Sequence, residues 1–182
     1  LFAKKHGGDF ILRIEDTDQT RYVAGAENYI IEALNWLNIP ADEGPVSGGA
    51  YGPYRQSERK QLYRQYADKL LESGHAYYAF DSAEDLDSKR KQYEEAGETF
   101  IYNWHNRMDM VNSLALSNEE TDARLQDGHP YVIRFKTPKD ETLEMKDSIR
   151  GHIKIDTNVL DDKVLFKSDG MPTYHLANIV DD

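Results

Sequence analysis

Apolar positions along the chain change period several times, and each change marks an element. Residues 1–6, LFAKKH, read as the last turn of a helix closed by Gly7–Gly8, because glycine takes the left-handed cap conformation without steric cost. In residues 9–15 the apolar side chains Phe10, Ile11, Leu12 and Ile14 are nearly continuous, which predicts a buried strand. Ala26, Ile30, Ala33, Leu34 and Leu37 fall at helical spacing and predict an amphipathic helix over 24–38. Helix, strand and helix in that order, with the strand almost wholly apolar, predict a parallel α/β layer.

Residues 40–56 hold Pro40, Gly44, Pro45, Gly48, Gly49, Gly52 and Pro53, so a structured loop is expected there. Ser57 is placed to cap a second helix, with Glu58 in its first turn and Gly74 at its end. Within it Leu62, Tyr66 and Leu70 repeat every four residues, and AYYAF at 76–80 then reads as a short strand.

After Asp81 the texture changes. Ser82 with Asp85, and Ser117 with Glu120, form capping-box pairs that predict charged helices near 83–96 and 118–127. The stretch 97–117 between them has little periodicity and is rich in Asn, Met and aromatic residues. Gly128 ends the second helix. YVIRFK, TLEMKD, IRGHIKID and KVLFKS follow at roughly ten-residue spacing, as antiparallel strands joined by turns do. These residues predict a separate α+β insertion over 77–168, after which SDGMPTYHLANIVDD returns to a helix-forming pattern.

Composition narrows the classes. A chain of 182 residues can bury a real core. It has no cysteine, which removes disulfide frameworks and thiolate metal sites and suits a reducing cytoplasm. No apolar run approaches the ~18 residues of a membrane span. The chain starts at Leu1 without methionine and stops at Asp182 inside a patterned segment, so it reads as a piece of something longer. The net charge of −11 argues against a broadly basic nucleic-acid surface but leaves room for a local basic strip.

The densest chemistry is RIEDTD at 13–18. Glu15, Asp16 and Asp18 crowd the end of the predicted strand, and their mutual repulsion calls for a cation or hydrogen-bond donors nearby. A calcium loop is a poor fit, because no glycine or distal glutamate follows at the required spacing. A carboxylate at the C-terminal end of a parallel strand lies where open α/β sheets bind ligands. Glu15 can therefore accept from a cationic ligand group, or it can pair with Arg13 or Arg21.

RIEDTDQTRY, EGP at 43–45, GPYRQSER at 52–59, the VIRFK, KD and RG run, and KSDGMPTYHLANIVDD at 167–182 together resemble glutamyl-tRNA synthetases. The glutamine-specific relative is a poorer match, since it reads FDDTN where this chain has IEDTD. The resemblance implies an α/β fold: part of a Rossmann-type parallel-sheet catalytic core, interrupted by an α+β connective insertion that contacts the tRNA acceptor stem. On the domain bounds read above, residues 1–76 and 169–182 belong to the core and 77–168 to the insertion. It implies L-glutamate, tRNA(Glu) and ATP with Mg²⁺ as partners, a glutamyl-adenylate intermediate, a cytoplasmic monomer, and no membrane. The ATP-binding HIGH-type and KMSKS-type signatures are expected outside these residues, so the piece alone is expected to be inactive.

The same resemblance assigns roles. Glu15, Tyr174 and Asn178 would hold glutamate, Tyr174 and Asn178 sharing a helix face through their i,i+4 spacing. The bland reading of that pair is an aromatic in the core beside a surface amide. Asp18 and Arg21 would face the tRNA acceptor end, or else form an i,i+3 surface pair worth a few tenths of a kcal/mol. Asp16 and Thr17 are read as local caps of the turn. Arg134, Lys136 and Arg150, with Lys146 and Lys154, would meet stem phosphates, although solvated strand faces look alike. Catalysis of this kind is positioning and charge stabilisation, so no catalytic nucleophile is assigned. Neither zinc nor any protein-held metal is expected, and His129, His152 and His175 are read as structural. Two alternatives are a shortened paralogue that glutamylates a modified base of tRNA(Asp) and a non-catalytic acceptor-stem-binding module.

Overall fold

The computed structural model describes residues 1–182, which fall into two compact units. The first comprises 1–64 and 171–182, the second 65–170.

In the first unit, α1 (Phe2–His6) ends at Gly7, whose φ of 71° is left-handed. The expected strand at 9–15 is extended, but it is no continuous ladder. It makes isolated parallel bridges, Ile11 to Glu43 and Ile14 to Arg55. Leu12 N donates to Glu43 O at 2.9 Å, Ile14 N to Tyr54 O at 2.8 Å, and Gln56 N to Ile14 O at 3.0 Å. All of these bonds use backbone groups of even-numbered residues of the segment, so one edge is zipped by two loop segments in succession. The alternation of backbone groups along an extended chain requires this. Ile11 remains 45% exposed, so the segment is less buried than its apolar run suggested.

Helix α2 (Ala26–Trp36) forms where predicted. Arg55 fastens it to the loop with two bonds to Glu27, Nε to Oε2 at 2.9 Å and Nη2 to Oε1 at 2.6 Å. Such a fork-to-carboxylate pair fixes orientation as well as distance. The loop itself is pinned by Glu43, which accepts from Tyr51 N at 2.8 Å and from the Tyr54 hydroxyl. Gly49 lies against Glu43 at φ 141°, where an added Cβ would sit 2.1 Å from Glu43 Cγ. Here only glycine fits.

One correction concerns the second predicted helix. Its start is a 3₁₀ turn, Gln56–Arg59, followed by α3 (Lys60–Glu72). Ser57 is not the cap. Its backbone N–H and hydroxyl both donate to Asp16, at 2.8 and 2.5 Å. Asp16 therefore caps this helix start from 41 residues upstream rather than shaping its own turn alone. Only the Asp16 carbonyl acts locally, accepting from Gln19 Nε2 at 2.5 Å.

In the second unit, β1 (Ala76–Ala79) pairs antiparallel with β2 (Val132–Phe135), and β2 pairs antiparallel with β5 (Val164–Phe166). The hairpin of β3 (Thr142–Asp147) and β4 (Gly151–Asp156) forms a separate two-stranded sheet. Both predicted capping boxes are present, Ser82 with Asp85 on α4 (Ala83–Glu95) and Ser117 with Glu120 on α5 (Asn118–Gln126). Tyr77, Ala79, Tyr102 and Met110 form the core, with Leu86, Phe100, Leu114 and Val132 packed around it.

The aperiodic stretch 97–117 is ordered by its asparagines. Fully buried Asn112 donates to Arg107 O at 2.5 Å and accepts from Leu114 N at 3.0 Å. Asn106 donates to Ile101 O at 2.8 Å. Side-chain amides here satisfy backbone groups that a regular element would have paired internally. Buried Asp162 ties the unit together, accepting from the Tyr77 hydroxyl at 2.6 Å and Thr137 N at 3.1 Å, with Arg107 Nε 3.3 Å away. The last helix, α6 (Tyr174–Asp181), belongs to the first unit.

Candidate functional site

Glu15 stands at the divide between two clefts of the first unit. A cleft of about 860 Å³ is lined by Arg13, Glu15, Tyr51, Arg59, Asp181 and Asp182 among others. A second, of about 410 Å³, is lined by Glu15, Asp16, Asp18, Arg21, Tyr22 and Glu27 among others. Extended backbone sends Arg13 and Glu15 to the same side, two residues apart, and the Arg13 guanidinium bridges two carboxylates. Nη2 donates to Glu15 Oε1 at 2.9 Å and Nη1 to Asp182 Oδ1 at 2.5 Å. Asp182 raises the Arg13 pKa well above its ordinary value, against a burial cost, with a further contribution from Glu15. The pairing with Arg13 that the sequence offered for Glu15 is therefore present, and it leaves the other carboxylate oxygen of Glu15 outside that bond.

Asp181 was given no role by the sequence, yet it is a hub of this region. Its Oδ2 accepts from Gln56 Nε2 at 2.8 Å and the Tyr63 hydroxyl at 2.7 Å, and Arg59 Nε lies 3.1 Å from Oδ1. Its side chain is only 3% exposed. Burial first, and Asp181 second, push the Tyr63 phenol far above its ordinary pKa, so it serves as a neutral donor. Arg59 also donates to the carbonyls of Tyr51 and Pro53, at 3.2 and 3.1 Å. One signal was available: Gln56, Arg59 and Tyr63 stand at i, i+3 and i+7, a single helix face carrying three donors.

Tyr174 and Asn178 lie on the face of α6 that continues, by successive i+4 steps, to Asp182. Tyr174 is 55% exposed, with its ring 6.0 Å from that of His175, and the buried side of the helix is Leu176 and Ala177. Neither Tyr174 nor Asn178 lines the larger cleft, whose α6 contribution is Asp181 and Asp182. Asp18 caps the 3₁₀ turn Gln19–Arg21, accepting from Thr20 Oγ1 at 2.6 Å, Thr20 N at 3.2 Å and Arg21 Nε at 2.6 Å. The Thr20 hydroxyl first, and Arg21 next, hold the Asp18 carboxyl below its ordinary pKa. The i,i+3 pair is thus formed, with Arg21 83% exposed and its remaining donors directed to solvent.

The insertion's basic residues differ in their engagement. The Arg134 guanidinium lies 3.9 Å from the Tyr102 ring centroid and donates to Asp162 O at 2.9 Å. Lys154 pairs with Glu144 at 2.5 Å across the hairpin. Lys136, Lys146 and Arg150 are exposed. Arg150 sits in the hairpin turn that Asp147 caps through Ile149 N and Arg150 N, at 2.8 and 2.7 Å. No set of three or more His, Asp or Glu side chains converges to hold a metal ion.

The profile of class I tRNA synthetases (E and Q), catalytic domain, matches residues 1–182. The chain belongs to this family, the class I tRNA synthetases, and lies within their catalytic domain. Among named relatives, a glutamate–tRNA ligase of Christiangramia forsetii is 70% identical over 182 residues, and one of Flavobacterium johnsoniae is 66% identical over the same length. A crystal structure of a glutamate tRNA ligase from Elizabethkingia meningosepticum in complex with its amino acid superposes with a TM-score of 0.95 at 54% identity. All of this chain is covered in each case, but only 36% of each of those proteins. The Rossmann-type class of core accounts for the parallel bridges at the end of 9–15.

Proposed function

We propose that the protein carrying this chain ligates L-glutamate to the 3′ end of tRNA(Glu) in an ATP-dependent reaction through a glutamyl-adenylate. The observation that carries the reading is the Glu15 carboxylate, held by Arg13 at the end of the extended segment and lining the larger cleft. That cleft presents carboxylates and guanidinium groups together, a pattern suited to the ammonium and carboxylates of an amino acid. Glu15 accepts from the substrate ammonium, while Tyr174 and Asn178, which the family resemblance assigns to glutamate, stand outside the lining of this cleft on the α6 face that leads to Asp182. Asp18 and Arg21, in the neighbouring cleft, orient the acceptor end.

Residues 77–168 form the connective insertion and meet the acceptor stem through Lys136 and Arg150, with Arg134 as a more internal support. ATP would supply the adenylyl group, its α-phosphate joining the substrate carboxylate as pyrophosphate leaves, and Mg²⁺ would accompany the nucleotide. The side chains here bind and orient rather than attack. The family resemblance implies a cytoplasmic monomer. No helix of this chain is long and apolar enough to cross a membrane. The paralogue acting on tRNA(Asp) and the non-catalytic module are less favoured, because the relatives are named glutamate–tRNA ligases at high identity.

The test is an aminoacylation assay of the full-length protein with labelled glutamate and tRNA(Glu) transcript. Glutamylation of the terminal ribose is expected. Charging confined to tRNA(Asp), or none with either tRNA, would overturn the reading.

A further inference from the structure

Arg13 is held from two sides by carboxylates that lie far apart in the chain. Nη2 donates to Glu15 Oε1 at 2.9 Å, two residues on, and Nη1 to Asp182 Oδ1 at 2.5 Å, 169 residues away. A guanidinium is planar and its two Nη groups point in fixed directions, so fixing one of them sets where the other aims. Asp182 is itself anchored. It follows the last turn of α6, where its neighbour Asp181, with a side chain only 3% exposed, accepts from Gln56 Nε2 at 2.8 Å and the Tyr63 hydroxyl at 2.7 Å. The pinned end of α6 therefore holds the arginine, and the arginine holds Glu15.

This arrangement contributes little to stability. The Glu15 and Asp182 side chains are 44% and 58% exposed, and ion pairs that open to water are nearly offset by the ordering they require. Its consequence lies in binding. A free glutamate side chain samples several rotamers, and a ligand that needs one of them must freeze it on arrival. Arg13 fixes Glu15 beforehand through Oε1 and leaves Oε2 outside that bond, and both residues line the larger cleft. One effect opposes this: a guanidinium beside Glu15 competes with an incoming ammonium for its charge. Asp182 counters that competition. It sits against the other Nη of the guanidinium, and more than Glu15 it is the partner that stabilises the charge of Arg13.

We propose that Arg13 is a positioning residue for the amino-acid substrate: clamped by Asp182, it presents the free oxygen of Glu15 to the substrate ammonium. The proposal rests on the Glu15 reading above and adds the two residues that act through it. A lysine at position 13 would supply the charge but not the fork, so the effect belongs to the planar group rather than to a positive charge as such.

Steady-state glutamylation of tRNA(Glu) by the full-length protein, with glutamate and ATP varied separately, tests it. Arg13→Lys should raise KM for glutamate roughly 5- to 20-fold, with KM for ATP within about 2-fold of wild type and Tm little changed. Asp182→Asn leaves the bond to Glu15 but weakens the anchor, and should raise the same KM about 3-fold. In a Glu15→Ala background, Arg13→Lys should add less than about 2-fold, because the carboxylate it orients is gone. Asp182 is on the surface, so its variant remains informative even where Arg13→Lys folds poorly. A wild-type or lowered glutamate KM in Arg13→Lys, with Glu15→Ala impaired, overturns the proposal alone. Losses that multiply in the double variant overturn it too, since Arg13 would then act on the substrate without Glu15. Equal rises in both KM values mark a general loss of structure and likewise overturn it. An unchanged glutamate KM in Glu15→Ala would overturn the Glu15 reading and this proposal together.

Discussion

Asp16 and Ser57 are 41 residues apart in sequence, yet the Asp16 carboxylate accepts from both the Ser57 hydroxyl at 2.5 Å and its N–H at 2.8 Å. The acidic turn is thereby coupled to the 3₁₀ start of the helix that carries Gln56, Arg59 and Tyr63. Ser57→Ala should lower stability by ~1 kcal/mol, the usual worth of a lost cap or hydrogen bond, while keeping the backbone contact. Asp16→Ala should cost more, since it strands the Ser57 N–H as well. Thermal unfolding of the full-length variants checks the order.

Glu15→Gln tests the site itself. The amide keeps the shape but cannot accept an ammonium as a charged partner, and it leaves Arg13 with Asp182 alone. In the full-length protein kcat/KM for glutamate should fall at least ~10-fold, about 1.4 kcal/mol. Steady-state charging at limiting glutamate measures it, and a value near wild type would remove Glu15 from the substrate site.

Gly49 should not tolerate a side chain. Its φ of 141° is outside what L-residues adopt, and a Cβ would meet Glu43 Cγ at 2.1 Å. Glu43 cannot easily yield, because Tyr51 N and the Tyr54 hydroxyl both hold it. Gly49→Ala should cost at least ~1 kcal/mol. Differential scanning calorimetry should show a clearly lowered Tm.

Stability should also fall in alkali. Burial, together with Asp162, raises the Tyr77 phenol far above its ordinary value of 10.0. Tyr63 and Tyr102 are raised too, in each case mainly by burial. A group whose folded pKa lies above its unfolded one stabilises fully below the unfolded pKa, and that contribution drains away as pH rises further. Tm should therefore drop from about pH 10 upward, with the tyrosinate absorbance of these three phenols appearing only on unfolding. Tyr77→Phe should flatten that decline. At the acid end the signs reverse: capping carboxylates such as Asp85 and Glu120 are held low by their serine partners, so their help is lost as pH falls below the carboxylate range.

Much of the fold is legible along the chain because its signals are local. Both capping boxes, the glycine helix ends and the antiparallel strands depend on residues within a few positions of one another, where spacing alone sets geometry. The acidic turn was legible only as chemistry. That Glu15 pairs with Arg13 two residues away could be guessed from spacing, and it is so. Ser57 shows the limit: a serine before a helix is a cap by pattern, but here it donates to a carboxylate whose proximity no local rule encodes.

What the sequence determined by itself is the order of the helices and of the antiparallel strands, the absence of thiol chemistry, and the motifs that identify the family; the 9–15 segment and the 3₁₀ start at Gln56 were settled by tertiary contacts. Only the tertiary structure decided which charges meet. Arg13 reaches Asp182 across 169 residues, Gln56 and Tyr63 converge on Asp181 from 125 and 118 residues away, and Tyr77 finds Asp162 across 85. Such pairs form because burying a carboxylate is costly until donors surround it, and chain closure alone determines which donors are within reach.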